Sequence, residues 1–195
     1  MNHRERILTA LHHQEADRCP FSVGFTPEFA ERLRNDLKTK GGSLFASQEG
    51  GYTYDLERAA GVDMLLTFVG WALCYYQEGD HYVDEWGVEW RSVEHQTRFG
   101  KGRYTEMIGH PLAEDSAIDS YRPPDPTRPE LYTDAERVIR EFKDDYWIVG
   151  ATVCTVFESA WALRGYEQAL IDFKANPDLL KRILNITHQY HLTAA

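Results

Sequence analysis

Two short apolar runs, residues 62–69 and 146–151, constrain the fold most. Each is too short to bury a helix. Each is rich in Val, Ile, Leu and aromatics on consecutive positions and has glycine at or near an end, the pattern of a strand covered on both faces rather than one facing water. The segment before each run has helical spacing. Residues 54–60 read as a helix closed by Gly61, and a helix starting near Pro129 carries Val138, Ile139 and Phe142 on one stripe. Residues 19–23, Cys-Pro-Phe-Ser-Val ending at Gly24, read as a further brief strand. About three parallel strands alternating with helices predict an α/β chain, with right-handed crossovers between neighbours.

The remaining segments fit around that frame. Residues 4–13 place Ile7, Leu8 and Leu11 on a helical stripe, and Asn2 followed by Glu5 has the spacing of a capping box. Thr26-Pro27 is an N-cap followed by a proline at the first helical position, for a helix running to about Lys38 and ended by Gly41-Gly42. Residues 71–112 change character: Trp, Tyr, Val and Thr are dispersed among charges and punctuated by Gly79, Gly87, Gly100 and Gly102, which predicts antiparallel hairpins. Residues 116–129 hold four of the eight prolines and read as a stiff connection. Helices are then predicted over 156–163 and 166–175, with Asn176-Pro177 opening a last one.

A net charge of −10 argues against nucleic acid and anionic membrane as partners, because the long-range field repels both. Cys19, Cys74 and Cys154 form no CxxC or Cys/His cluster and read as reduced, partly buried thiols. Charges at residues 3–6 leave no room for a signal peptide's apolar segment, and no run approaches the length of a membrane span, so the expected compartment is the cytoplasm.

The opening "RERILTALHHQEADRCPF" resembles the start of the uroporphyrinogen decarboxylase family, whose superfamily also holds corrinoid-linked methyltransferases. "YVDEWGVEWR" (residues 82–91), "GHPLAE" (109–114) and "IVGATVCTVFESAWALRGYEQALIDFKANPDLLKRIL" (148–184) are similar to further stretches of that family. The resemblance implies a (β/α)8 TIM barrel. Such a barrel needs roughly 200–250 residues, so residues 1–195 are expected to be the N-terminal part of one barrel domain. That part would hold about the first three strands, with 71–112 as a hairpin insertion. A truncated piece of this kind is expected to be inactive alone. The implied activity is decarboxylation of a tetrapyrrole, a lyase reaction needing no cofactor. The alternative is a methyltransferase using zinc and a corrinoid, with its zinc ligands expected after Ala195. A non-catalytic binding or scaffold domain is a third reading. The implied partners are a small-molecule substrate, tetrapyrrole or methylated compound, and a second copy or a corrinoid protein.

Family arginines expected after the first strand are replaced by Gly24-Phe25-Thr26-Pro27-Glu28, and a family Asp at the end of the second by Phe68-Val69-Gly70-Trp71. A family Tyr aligns with Trp161, which keeps an aromatic face and an N–H donor. In a barrel, chemistry sits at the C-terminal ends of strands, so Phe25, Trp71 and Trp161 are the expected substrate contacts. Glu158, the one acid in the apolar stretch 149–163, is the expected catalytic carboxylate, with pairing to Arg164 as its bland alternative. Asp84, Glu85 and Glu89 offer three carboxylates within six residues, but strand alternation sends Glu85 and Glu89 to one face and Trp86 and Trp90 to the other, a solvated face over a Trp layer. His188 and His191 stand three apart on the last helix without an acidic or cysteine partner near in sequence.

Overall fold

The computed structural model describes residues 1–38, 52–68, 79–98, 100–152 and 155–195. They fall into two compact units, one of Met1–Val69 with Pro129–Ala151 and one of Gly70–Arg128 with Thr152–Ala195.

In the first unit, α1 (His3–Leu11) is opened by a complete capping box: Asn2 Oδ1 accepts from the Glu5 N–H at 2.7 Å, and the Glu5 carboxylate accepts from the Asn2 N–H at 2.9 Å. Thr26 and Pro27 start α2 (Pro27–Leu37), which ends on Lys38 in the left-handed region. The helix α3 (Asp55–Ala60) ends on Gly61 at φ +74°, a backbone geometry that favours glycine. The strand β1 (Met64–Phe68) follows.

Residues 19–25 form no strand. Pro20 has no N–H to offer a ladder, and both backbone groups of Phe21 are taken by Asp63: its N–H donates to Oδ2 at 3.0 Å and its carbonyl accepts from the Asp63 N–H at 3.0 Å. The expected first strand is instead a segment pinned to the residue that precedes β1.

The second unit begins with β2 (His81–Val83), β3 (Glu89–Thr97) and β4 (Gly100–Gly109), an antiparallel sheet in the order β2-β3-β4, as the 71–112 pattern predicts. A loop with a 3-10 turn at Asp115–Ala117 carries the prolines. In the first unit, α4 (Thr133–Phe142) leads into β5 (Trp147–Ala151), which pairs with β1 in parallel, Met64 opposite Trp147 through Phe68 opposite Ala151. Val138 of α4 packs with Tyr54, Val62 and Leu65 to make this unit's core. The second unit closes with α5 (Val156–Arg164), α6 (Tyr166–Ala175) and α7 (Pro177–Ala194). Its core joins Trp86, Val88 and Trp90 of the sheet to Ala160 and Leu163 of α5 and Ile183 and Tyr190 of α7.

The fold is therefore mixed α/β with two described parallel strands rather than three, and they close no barrel. Among the described residues, no helix is long and apolar enough to cross a membrane.

A candidate small-molecule pocket beside Trp161

The turn from β2 to β3 sets the geometry of the second unit. Asp84 is buried, and its carboxylate caps the turn: Oδ1 accepts from the N–H groups of Trp86 at 2.8 Å and Val88 at 3.0 Å, and Oδ2 from the Trp90 indole Nε1–H at 2.7 Å. Gly87, at φ +80°, lets the chain reverse there. Asp84 therefore lies inside, against the Trp layer, and does not join Glu85 and Glu89 in a cation site. Those two are exposed while Trp86 and Trp90 are each 1 % exposed, as alternation requires. The signal available in the sequence was Asp followed by Gly three residues on, a turn pattern whose carboxylate can hydrogen-bond its own backbone.

With its ring held by Asp84, Trp90 sits opposite Met107 in the β3–β4 register and stacks on Tyr82 across the other edge at 6.2 Å. Thr105 lies on the same face as Met107, two residues away. The flanking Arg91 and Glu106 pair with each other at 2.6 Å on the opposite face. Facing the sheet are Trp161, the half-buried residue of α5 expected to meet substrate, and Tyr166, whose ring stands edge-on to it at 5.6 Å and 85°. Trp90, Thr105, Met107, His110, Trp161 and Tyr166 line a cavity of about 310 Å³. It lies at the small end of ligand pockets, which are mostly apolar with a few placed polar groups.

His110 supplies one of those groups. Its Nδ1 donates to the Ala162 carbonyl at 2.7 Å, so the hydrogen sits on Nδ1 and the uncharged ring keeps a lone pair on Nε2. Gly165, at φ +92°, allows this approach, since a Cβ there would stand 3.3 Å from His110 Cδ2.

Next to His110 in the chain, residues 112–115 are held by Arg164, which is 3 % exposed. Its Nε donates to Asp172 at 2.7 Å, Nη1 to the carbonyls of Leu112 and Ala113 at 2.9 Å each, and Nη2 to Asp115 at 2.7 Å. Burial acts to lower the Arg164 pKa, but its hydrogen bonds to the Asp172 and Asp115 carboxylates outweigh it and hold the guanidinium above its ordinary range. Asp172, pushed up by its own burial, is drawn down further by Arg164, Gln168 and Asn176 and lies below the usual carboxylate range. The strap fastens 112–115, just beyond His110, to the end of α5.

The other expected site residues lie elsewhere. Glu158 is exposed in the first turn of α5, not partly buried, and Arg164 pairs with Asp172 and Asp115 instead of with it. Helical spacing explains the difference: α5 turns Ser159, Ala160 and Leu163 inward and leaves Glu158 on the solvent side. Phe25 belongs to the first unit, half-buried and stacked on Phe29 at 5.8 Å. Trp71 lies outside the described residues, as do Cys74 and Cys154; Cys19 is exposed rather than partly buried.

His191 is buried, with Nδ1 3.2 Å from Thr152 Oγ1 and Nε2 3.2 Å from Ser159 Oγ, while His188 is exposed, so the two do not converge. Among the described residues, no three His, Cys, Asp or Glu side chains come together as a metal site. Sequence reasoning missed His110, Met107 and Tyr166. Only their convergence, from β4 and the residue after it and from the first turn of α6, marks them.

No family model matches the chain, and neither does any curated protein or solved structure.

Proposed function

We propose that this chain is part of a cytoplasmic, uroporphyrinogen-decarboxylase-like (β/α)8 enzyme acting on a small organic molecule, and that the Trp161 pocket contacts its substrate. One observation carries the reading. Three stretches that resemble the family, 82–91, 109–114 and 148–184, contribute Trp90, His110 and the Trp161–Tyr166 pair to one cavity. These segments lie far apart in sequence, and a shared small-molecule wall gives them a common purpose. The parallel β1–β5 pair is also what neighbouring barrel strands would form.

The residues that could act here are hydrogen-bonding and aromatic. Trp161 offers a ring face, Thr105 a hydroxyl and His110 a ring nitrogen that can accept or hold a proton.

The test uses the product of the complete gene, assayed for coproporphyrinogen formation and for bound zinc. Coproporphyrinogen formation supports the decarboxylase; stoichiometric zinc without it favours the methyltransferase; neither refutes the enzyme reading and leaves a binding domain. In an active enzyme, Trp161→Ala is expected to lower kcat/KM by about 10-fold or more, the loss of a well-packed aromatic contact.

A further inference from the structure

The chemistry of the cavity wall says what kind of molecule it admits. At about 310 Å³ it has the room of about ten waters at about 30 Å³ each, more than enough to admit one bicyclic ring. Its lining is Trp90, Met107, Trp161 and Tyr166 with Thr105 and His110, so no formally charged Lys, Arg, Asp or Glu side chain is among the residues that form it. The pleat sends Arg91 and Glu106 to the far side of the sheet, where they neutralise each other. Charged arms of a ligand would find no counter-ion in this wall and would have to lie outside it, whereas a flat ring would find Trp161 with Tyr166 edge-on and the polarisable sulfur of Met107.

Direction comes from His110. Its Nδ1–H is committed to the Ala162 carbonyl, and its Nε2 makes no hydrogen bond among the described residues. A ring nitrogen with a lone pair in this wall calls for a donor, because leaving it unpaired beneath a bound ligand costs about 1–3 kcal/mol. We propose that the Trp161 pocket selects a flat ring of about indole size that presents one N–H or O–H donor to His110 Nε2. This rests on the reading of the cavity as a ligand site and adds the class of ligand.

Indole and benzofuran test it, since they match in shape and differ in whether the ring heteroatom carries a hydrogen. Calorimetric titration of the 195-residue chain should give indole about 3- to 10-fold tighter binding, the range of one hydrogen bond. His110→Leu should abolish the preference with little effect on benzofuran, and Trp161→Ala should weaken both ligands. The comparison in the unaltered chain does not depend on any variant folding. Equal binding of the two ligands, with Trp161→Ala weakening both, overturns donor selection and leaves the cavity as a ligand site. Binding of neither at millimolar concentration overturns both. A preference that survives in a folded His110→Leu variant overturns the role of His110.

Discussion

Asp63 is the residue whose loss should most damage the first unit. It is fully buried immediately before β1, and it accepts five hydrogen bonds: from Arg6 Nη1 at 2.6 Å, Arg18 Nη1 at 2.6 Å and Nη2 at 2.9 Å, His3 Nδ1 at 3.0 Å and the Phe21 N–H at 3.0 Å. Its carbonyl also accepts from the Trp147 N–H at 3.2 Å, at the head of β5. Burial alone would raise the carboxyl pKa. The donors, led by Arg18 and followed by His3, Phe21 N–H and Arg6, outweigh it and bring the pKa down from 3.8 to about 2.

At about 1.4 kcal/mol per pH unit, that drop corresponds to at most about 2.4 kcal/mol favouring the ionised, folded state. Solvent beside Arg18, whose side chain is 39 % exposed, reduces it to about 1.5–2 kcal/mol. Asp63→Asn removes the charge and turns an amide donor toward other donors, which adds about 1 kcal/mol. The expected loss is about 2–3 kcal/mol. Since the folded pKa is depressed, the stabilisation is fully present above about pH 4 and disappears as pH falls through about 2.

Hydrogen exchange at residues 64–68 and 147–151 reads the loss locally, and should run about 30- to 150-fold faster in the variant at neutral pH. Urea titrations of both chains should converge between pH 4 and 2, because protonation makes the native residue resemble the variant. A difference below about 0.5 kcal/mol, or one unchanged by pH, would refute the account of Asp63 as an ionised hub.

Other perturbations address the second unit. Asp84→Ala removes the carboxylate that accepts from three buried N–H groups, so a loss of about 2–4 kcal/mol in urea unfolding and a changed near-ultraviolet circular dichroism signal are expected. Gly165→Ala combines a φ of +92° with a Cβ 3.3 Å from the His110 ring; about 1–3 kcal/mol of destabilisation is expected, with a shift of the His110 ring signals in NMR. Arg164→Lys keeps the charge but lacks the fork that serves Asp172, Asp115 and two carbonyls at once, and should raise exchange at 110–115 while sparing the β1–β5 pair.

Where each residue's fate was set by its near neighbours in sequence, the sequence was enough. The Asn2–Glu5 capping box, Thr26-Pro27, Gly61 as helix terminator and the Asn176-Pro177 start are all present, because each depends on hydrogen bonds or φ angles within one turn. The two apolar runs do form strands, but not doubly covered ones: β1 alternates half-buried and buried residues and ends on the exposed Phe68, and no residue of β5 is fully buried, whereas the hairpins were legible because glycines punctuate alternating residues.

Other features were decided between distant residues, whose encounter carries no local signal. Residues 19–23 have strand composition, yet Asp63 takes the backbone groups of Phe21. Glu158 and Arg164 stand six apart on α5, but Asp172 and Asp115 approach Arg164 from other segments and Glu158 stays in solvent. Asp84 in the sequence was one of three clustered acids; folded, it is an acceptor for a buried indole. The runs 62–69 and 146–151, as sequence, determined that strands would form. Tertiary structure alone decided that the two would be neighbours, and that His110 would meet Trp161, since pairing and pocket geometry are set by contacts across long stretches of chain.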